Sequence, residues 1–395
     1  MIKPRQMAPG VYWAGMVDWH RGLFDALIPL PEGTSYNAYW VRGSSRSALI
    51  DSMDAEHAAD WVAGLDPSWK PDYLVANHAE QDHSGALPLL LDRYPDATVL
   101  CTPKAKGMLE GLLHIAPDRI RPVTDGETMD LGGRALRFIH APWVHWPETM
   151  MTMLDPDGIL FSCDFFGSHL ATSRLYADED PRAEEQARLY YAQIMMPYAP
   201  AVRKDLAKAV ALQPNVIAPS HGPVWRKPEA ILQRHEYWLN GAPRNRTVMA
   251  RVSMHRSTAR LSDAIESELV ARGVDVVPFD LTRLGLDRYA SALVDAASVV
   301  FTAPAVWGAP HPSAVMAMYV TAGLKPKARW AALAGSYGWS TKGMEDLAAW
   351  LPGWKVECLP AVLCEGLPRG EHLESARAMA VTLAERHAEA GLNND

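Results

Sequence analysis

Residues 77–83 hold four potential metal ligands in one short segment: His78, Glu80, Asp82 and His83. The two imidazoles offer borderline nitrogen donors, and the two carboxylates offer hard oxygen donors. Because all four lie on one loop, most of the entropy cost of gathering ligands is avoided. Zinc hydrolases work with histidines and one carboxylate, whereas a site rich in carboxylate oxygen favours iron or manganese, whose ions are held in pairs by bridging carboxylates.

Three further ligand candidates follow along the chain, namely His145, Asp164 and His221. With the first segment they supply four histidines and three carboxylates. This set suits two ions with three protein ligands each and one bridging carboxylate, with open positions for a small molecule. The residue types therefore predict a dinuclear metal site.

Short apolar runs must form the strands that position these ligands. They lie at residues 48–50, 73–76, 98–100, 135–139, 159–163 and 215–217. Each group of potential ligands follows one of these runs. Loops at strand ends are held by a rigid sheet and are a common place for catalytic groups.

A turn-rich polar stretch at residues 240–246 predicts a linker. Beyond it, five strand candidates alternate with helical segments, at residues 247–252, 274–279, 298–302, 330–334 and 355–359. This alternation predicts a doubly wound parallel sheet of flavodoxin type. We therefore predict two domains, at residues 1–246 and 247–395.

Composition and charge exclude several classes of protein. A chain of 395 residues with 48% hydrophobic and 21% charged residues is typical of a soluble protein with two domains. The net charge of −8 argues against a nucleic-acid surface. Prolines interrupt the uncharged stretch at residues 296–324, so we expect a buried strand, a loop and a buried helix there and no membrane span. The N-terminal segment lacks an apolar signal region, which favours a cytoplasmic location.

The order of the ligand motifs resembles the flavodiiron protein family. The resemblance rests on His-x-Glu-x-Asp-His at residues 78–83, His-Trp-Pro at 145–147, Ser-Cys-Asp-Phe-Phe-Gly at 162–167 and Ser-His-Gly at 220–222. Residues 15–19, 33–37 and 190–197 are also similar to that family. The resemblance implies a metallo-β-lactamase-like αββα sandwich that carries iron, followed by a flavodoxin-like domain. It places one iron on His78, Glu80 and His145 and the other on Asp82, His83 and His221, with Asp164 bridging them.

The flavodoxin-like region carries a second constellation. Residues 253–258 open a predicted helix, whose hydroxyls and free backbone N–H groups suit a phosphate. The loops at residues 303–308 and 335–340 follow the third and fourth strands, at the sheet edge where such folds bind ligands. Aromatic side chains there can stack on an isoalloxazine ring, and glycines let backbone amides approach its polar edge.

The last of these loops closely matches the flavin loop of flavodiiron proteins, so the resemblance implies FMN. The other loops depart from the family, with Arg256 in place of a small residue and with Ala305 and Trp307 in place of Thr and Asn. The predicted FMN-binding residues are Met254, His255, Arg256, Ser257, Thr258, Pro304, Ala305, Val306, Trp307, Gly308, Ser336, Tyr337, Gly338 and Trp339.

Two side chains outside the ligand set are candidates for catalysis. Tyr191 could place a phenol near bound O2 or NO, or it could serve as an aromatic packing residue. His169 lies near a ligand-bearing loop and could orient ligands or move protons, with a structural hydrogen-bonded histidine as the alternative. His140 has the same two alternatives.

The resemblance implies an oxidoreductase that reduces O2 to water, NO to N2O, or both, at a non-haem diiron site with electrons delivered through FMN. The four cysteines include no Cys-x-x-Cys pair, so no rubredoxin-type iron site is encoded. Electrons must then come from an external donor, and rubredoxin is the usual family partner. The resemblance also implies a head-to-tail homodimer, in which the FMN of one subunit faces the diiron centre of the other; a homotetramer is the larger assembly considered.

Two other functions stay open at the level of sequence. The first is a zinc-dependent hydrolase of the metallo-β-lactamase superfamily with an appended flavodoxin-like module. Glu80 discriminates against it, because those hydrolases usually have a second His at that position. The second is a non-enzymatic electron carrier or redox sensor, which would not need so complete a ligand set.

Overall fold

The computed structural model describes residues 4–283, 285–341 and 343–392 of the chain. The backbone divides between Leu239 and Asn240 into two units. The predicted domain boundary at residues 246 and 247 lies a few residues beyond this division and stays a prediction.

The strands described in the first unit are β1 (Arg5–Ala8), β2 (Val11–Trp13), β3 (Met16–Asp18), β4 (Leu23–Phe24), β5 (Ile28–Pro29), β6 (Thr34–Tyr36), β7 (Tyr39–Arg42), β8 (Ser47–Ile50), β9 (Tyr73–Val75), β10 (Thr98–Cys101), β11 (Ile120–Pro122), β12 (Thr128–Asp130), β13 (Ala135–His140), β14 (Met150–Asp155), β15 (Ile159–Cys163) and β16 (Val216–Pro219). Its α-helices are α1 (Ala58–Gly64), α2 (Gln81–Ser84), α3 (Leu87–Arg93), α4 (Pro103–Leu113), α5 (Ala183–Tyr190), α6 (Ala199–Ala211) and α7 (Pro228–Asn240).

Alternating apolar side chains give the first sheet two buried faces. The sheet has the order β1-β2-β7-β8-β9-β10-β11, and β8 to β11 run parallel. On β7, Trp40 packs with the apolar side chains of helices α1, α3 and α4, whereas Tyr39 and Val41 pack with the second sheet. The near-continuous apolar runs of the sequence therefore reflect burial on both faces.

The second sheet has the order β12-β13-β14-β15-β16, with only the β15–β16 pair parallel. Its Leu136, Phe138 and Phe161 pack against the first sheet in a shared core. Two facing sheets with helices outside the first one form a sandwich of the predicted kind.

The second unit contains β17 (Arg246–Arg251), α8 (Ser257–Ala271), β18 (Asp275–Asp280), α9 (Leu286–Leu293), β19 (Ser298–Val306), β20 (Ala309–Pro310), α10 (Pro312–Leu324), β21 (Trp330–Tyr337), β22 (Glu357–Cys358), β23 (Val362–Glu365) and α11 (Gly370–Glu389). Its parallel strands have the order β18-β17-β19-β21-β22, and β23 also pairs with β21. This is the strand order of a flavodoxin-like sheet, as predicted.

The fifth strand of this sheet differs from the prediction for residues 355–359. It is split into β22 and β23, and Leu359 still donates its N–H to Ala331 O over 2.9 Å. Pro360 comes next and has no N–H to donate, so the ladder is interrupted there. The uncharged stretch at residues 296–324 forms β19 and α10, a strand and a helix as expected.

Candidate dinuclear metal centre and flavin pocket

Four loops carry the predicted metal ligands to one place. The first follows β9 and runs into α2, whose N-cap is Glu80 and whose residues include Asp82 and His83. His145 lies between β13 and β14, Asp164 follows β15, and His221 follows β16. Met150 N donates to Asn77 O over 2.9 Å, which joins the edges of the two sheets beside the ligands.

The first ligand set consists of His78, Glu80 and His145, and it faces one oxygen of Asp164. The Oε2 atom of Glu80 lies 3.0 Å from His78 Nε2 and 3.3 Å from His145 Nε2. Asp164 Oδ2 lies 3.6 Å from His78 Nε2 and 3.5 Å from His145 Nε2. These donor atoms surround a common point.

The second ligand set consists of Asp82, His83 and His221, and it faces the other oxygen of Asp164. Asp82 Oδ2 lies 3.2 Å from His83 Nε2 and 3.1 Å from His221 Nε2. Asp164 Oδ1 lies 3.1 Å from His83 Nε2 and 3.5 Å from His221 Nε2. Asp164 therefore presents one oxygen to each set, as a bridging carboxylate must.

The donor separations fit metal ions. Neighbouring ligands at about 2.1 Å from an ion lie about 3.0 Å apart in an octahedron and about 3.4 Å apart in a tetrahedron. Both oxygens of Asp82, Oδ2 of Asp164 and Nε2 of His221 are buried and have no hydrogen-bond partner. Asp82 Oδ2 and His221 Nε2 lie 3.1 Å apart without forming a hydrogen bond. Buried orphaned donors of this kind are satisfied by cations.

Second partners fix the ring orientation of two histidines. His78 Nδ1 lies 2.7 Å from Glu148 Oε1, which also accepts the N–H of Ala79 over 3.0 Å. His221 Nδ1 donates to Ser35 O over 2.7 Å. In both rings the Nε2 atom is thereby left for the ion, and the partner raises the basicity of the ring. Sequence reasoning missed Glu148, although it directly follows the His-Trp-Pro motif at residues 145–147.

Asp51 joins the loops that carry His78 and His221. Its two carboxylate oxygens accept the backbone N–H of Asn77 over 2.9 Å and the side-chain amide of Asn77 over 3.0 Å. The hydroxyl of Ser220 donates to the same carboxylate over 3.0 Å. Asn77 and Ser220 each precede a metal ligand, so Asp51 sets the spacing between the two ligand loops.

The carboxylates give the cluster a field that favours positive charge. Burial opposes a charge on His78, His145 and His83, but the adjacent carboxylates outweigh it and raise their pKa values to about 10, about 10 and about 9. Despite burial, the histidines hold the pKa of Asp164 well below its usual range, with His83 the largest contributor. Cations and protons therefore compete for the same donor atoms.

The structure places a phenol at the cluster, but it belongs to Tyr190 rather than to the predicted Tyr191. The Tyr190 hydroxyl donates to Asp164 Oδ1 over 2.7 Å. The Tyr191 hydroxyl donates to the Trp238 carbonyl over 3.3 Å, and its ring packs on His235 and Trp238. Consecutive residues of a helix point about 100° apart, so only one of the two can face the cluster.

His169 lies beside the cluster, near a ligand-bearing loop as predicted. Its Nδ1 lies 3.0 Å from the Thr34 hydroxyl, while its buried Nε2 has no partner. Its ring centroid lies 4.8 Å from that of Tyr190 and 5.1 Å from that of His221. Burial, followed by repulsion from His221, holds its pKa well below the usual range. His140, by contrast, hydrogen-bonds the Val123 carbonyl and takes the structural alternative.

The loops predicted to bind FMN enclose a cavity of about 390 Å3 in the second unit. Of the predicted residues, ten line it: Met254, His255, Ser257, Thr258, Pro304, Ala305, Ser336, Tyr337, Gly338 and Trp339. Ser253 and Gly366 complete the lining. A cavity of this volume suits a cofactor of drug-like size.

The remaining four predicted FMN residues do not line this cavity. Arg256 occupies the N-cap of α8 with φ 68°. Val306 pairs with Ala309 in the β19–β20 hairpin, and Trp307 and Gly308 form its tip with φ 54° and 78°. Trp307 is 89% exposed. Their contribution to flavin binding stays a prediction.

The N-terminus of α8 fits a phosphate. Ser257 and Thr258 begin the helix and line the cavity, and the Thr258 hydroxyl lies 2.8 Å from the Ser336 hydroxyl of β21. This pair ties the helix start to the loop that follows β21. The first turn of a helix that lines a cavity can stabilise a phosphate through its N–H groups and the helix dipole.

Within residues 4–283, 285–341 and 343–392, no helix has the length and apolar character needed to cross a bilayer.

Comparison with known proteins gives consistent matches over both units. A family profile described as "ODP family beta lactamase" matches residues 34–222. A nitric oxide reductase of Moorella thermoacetica is 33% identical, over 98% of this chain and 100% of that protein. The structure of rubredoxin oxygen:oxidoreductase from Desulfovibrio gigas is 27% identical with a TM-score of 0.93, over 97% of this chain and 98% of that one. The flavodiiron protein from Giardia intestinalis is 29% identical with a TM-score of 0.89, over 98% of both chains.

The fold and the site thus define a metallo-β-lactamase-like domain with a dinuclear centre, joined to a flavodoxin-like domain with a flavin pocket. The chain belongs to the flavodiiron protein family. Its cofactors are FMN and a pair of non-haem irons.

Proposed function

We propose that this protein is a flavodiiron oxidoreductase that reduces O2 to water, NO to N2O, or both. The observation that carries the proposal is the placement of Asp164, whose two oxygens face separate sets of three ligands. The relative from Moorella is named as a nitric oxide reductase, and the Desulfovibrio structure is named for reaction with oxygen. The proposal therefore includes both O2 and NO as substrates.

The two reactions consume electrons and protons in fixed ratios. Reduction of O2 to two waters takes four electrons and four protons, and reduction of two NO to N2O and water takes two of each. When bound, the flavin would convert paired electrons from a donor into single electrons, and the iron pair would supply the redox-active ions for reduction of O2 or NO.

The side chains of this protein position the irons and the protons. His78, Glu80 and His145 would hold one iron and Asp82, His83 and His221 the other, with Asp164 between them. Burial, and then the nearby Asp164, hold the pKa of Tyr190 well above its usual value, so its hydroxyl keeps a proton at the bridging carboxylate. We therefore propose catalytic roles for His169 and Tyr190, and a packing role for Tyr191.

The hydrolase alternative is less well supported. Glu80 contributes a carboxylate oxygen to the first ligand set, at 3.0 Å from His78 Nε2 and 3.3 Å from His145 Nε2. Three carboxylates and four histidines form a harder donor set than a histidine-rich zinc site.

Metal analysis combined with gas consumption tests the proposal. Protein isolated from medium with iron and without added zinc should contain two irons and one FMN per chain. After anaerobic reduction it should consume O2 or NO in a stopped-flow instrument. Two zinc ions per chain together with esterase or lactamase turnover would overturn the proposal.

The electron donor and the assembly extend this proposal. We infer an external donor such as rubredoxin and a head-to-tail homodimer in which flavin and irons of different subunits face each other. Exposed aromatic side chains support it, since Trp307 and Trp339 on the flavin loops are 89% and 87% exposed. A homotetramer would repeat the same contact.

Subunit mixing tests transfer between subunits. One variant carries Asp164→Ala and keeps its flavin, and the other carries Thr258→Arg at the flavin cavity and keeps its irons. Random re-association of the two inactive variants should restore about a quarter of wild-type turnover, since half of the dimers are mixed and each has one working pair. Transfer within one chain predicts no recovery at all.

A further inference from the structure

The two side chains proposed to hold protons at the metal centre are buried. Tyr190 donates to the bridging carboxylate and His169 lies beside the cluster, and each is exposed by 5% or less. Reduction of O2 or NO consumes protons at every turnover. Protons must therefore reach the centre from solvent through other side chains or through water.

Strand β6 brings three consecutive residues to the cluster. Thr34 Oγ1 lies 3.0 Å from His169 Nδ1, and Ser35 O accepts His221 Nδ1 over 2.7 Å. Side chains alternate along a strand, so Tyr36 projects to the same face as Thr34. The ring centroid of Tyr36 lies 5.7 Å from that of His221 in an edge-on arrangement. Tyr36 therefore packs directly against the second ligand set.

The hydroxyl of Tyr36 is buried without a partner. The side chain is 1% exposed, and the hydroxyl oxygen has no hydrogen-bond partner among the described residues. Burial of an unpaired hydroxyl is unfavourable, and such groups commonly hold a water or take part in chemistry. Packing against His221 would need only the ring and not the hydroxyl.

A half-exposed histidine lies on the other side of Tyr36. The ring of His57 lies 5.9 Å from the ring of Tyr36, measured between centroids. His57 Nε2 lies 3.1 Å from Asp18 Oδ2, and these two side chains are 27% and 13% exposed. Histidine is the side chain that takes up and releases protons near neutral pH. The contacts from His57 to Tyr36 and from Tyr36 to His221 thus lead from solvent to the second ligand set.

Charged groups surround this entrance. The His57 N–H donates to Asp54 O over 3.0 Å, and Arg21 N donates to Asp18 Oδ1 over 3.0 Å. The guanidinium of Arg21 lies 2.9 Å from Glu56 Oε2 and 3.9 Å from Asp54 Oδ2. Three carboxylates against one guanidinium leave two net negative charges on this surface. Such a surface attracts protons.

We propose that His57, paired with Asp18, and Tyr36 relay protons from solvent to the second ion position. In each transfer His57 takes one proton from water and passes one to the Tyr36 oxygen, directly or through one water. The Tyr36 hydroxyl then releases its own proton towards the second ion position. One proton moves inward and no electron is exchanged. The relay rests on the proposed function and adds the source of its protons.

Single-turnover kinetics in H2O and D2O test the relay. Iron and FMN are counted in each protein, and the reduced protein is then mixed with O2 or NO in weak buffer. His57→Ala and Tyr36→Phe should each react about tenfold more slowly than the wild type, less than the hundredfold or more known for direct proton donors. The ratio of the rates in H2O and D2O should rise in both variants. Added imidazole should restore most of the lost rate in His57→Ala and none in Tyr36→Phe.

Two matched variants serve as controls. His20→Ala removes an exposed histidine close to Asp18 in sequence, and Tyr94→Phe removes another buried hydroxyl without a partner among the described residues. Both should react as the wild type does.

Histidine NMR of the oxidised, iron- and FMN-loaded protein gives a readout without turnover. The imidazole signal of His57 is identified by its loss in His57→Ala. Tyr36→Phe should shift this signal, because the two side chains exchange a proton directly or through one water, and Tyr94→Phe should leave it in place. An unshifted signal in Tyr36→Phe would overturn the relay.

Three kinetic results would also overturn it. The first is an unchanged rate and isotope ratio in both variants, each with two irons and one FMN, which leaves the proposed function intact. The second is a slow His57→Ala that imidazole does not rescue, which assigns His57 to structure. The third is loss of iron from Tyr36→Phe, which assigns Tyr36 to packing of His221. Failure of the wild type to reduce either gas would instead overturn the proposed function.

Discussion

Replacement of Glu148 by glutamine should weaken the first iron position and spare the second. The Glu148 side chain is fully buried, and its Oε1 atom lies 2.7 Å from His78 Nδ1 and accepts the Ala79 N–H over 3.0 Å. Glutamine keeps an acceptor oxygen of the same size but removes the charge. A hydrogen bond to a charged group contributes about 1.4 kcal/mol more than a neutral one, which is about a tenfold change in affinity. This value lies at the lower end of the ten- to hundredfold effects known for such partners of metal-bound histidines.

Anaerobic competition with a ferrous chelator measures this change for each of the two irons. We expect one iron to bind about tenfold more weakly in Glu148→Gln and the other to be unchanged. Glu185→Gln, at an exposed position of α5, is the control for loss of a surface charge. If each iron binds as tightly in Glu148→Gln as in the wild type, Glu148 does not act on the metal through His78.

Three further predictions follow from the same geometry. Tyr190→Phe should lower O2 or NO turnover roughly tenfold by removing the donor to Asp164 Oδ1, whereas Tyr191→Phe should stay within twofold of the wild type; stopped-flow consumption separates them, and the reverse order would contradict the assignment. Iron binding at pH 7 should release protons, because the carboxylates raise the pKa values of His78 and His145 to about 10 against their burial; calorimetry in buffers of different ionisation enthalpy measures the number, and a value of zero would refute it. Burial lowers the pKa of His387 to about 4. The neutral side chain therefore contributes its full stabilisation above about pH 6.5, and about 3 kcal/mol of folding stability is lost as the pH falls towards 4. Denaturant unfolding followed by FMN release should show this loss in the wild type and not in His387→Gln.

The ligand set could be predicted from sequence because each donor follows an apolar run that forms a strand. The motif at residues 78–83 brings four donors together without any long-range contact, and the flavin loops lie at fixed points after β17, β19 and β21. Periodicity located the strands, whereas the assignment of ligands to each ion and of FMN to these loops also depended on residue types and on the resemblance to the flavodiiron family.

The partners of the ligands could not be found in this way, since they are distant in sequence. Glu148 lies 70 residues from His78, and Ser220 lies 169 residues from Asp51. Two-residue strands such as β4 and β5 have no periodic pattern, so the sequence gave no signal for them. A π-helical turn over Tyr191–Met195 changes the direction of the side chains after α5. Tyr190 and Tyr191 are neighbours of the same type in the sequence, so the pattern could not tell which of them faces the cluster.

The central claim is a pair of irons joined by Asp164. Metal analysis together with electron paramagnetic resonance of the partly reduced protein tests it most directly, in the wild type and in Asp164→Ala. The wild type should contain two irons per chain with the signal of a magnetically coupled pair, and Asp164→Ala should lose that signal and its O2 and NO turnover while keeping the FMN spectrum. Two uncoupled irons, a single iron per chain, or retained turnover in Asp164→Ala would contradict the bridge.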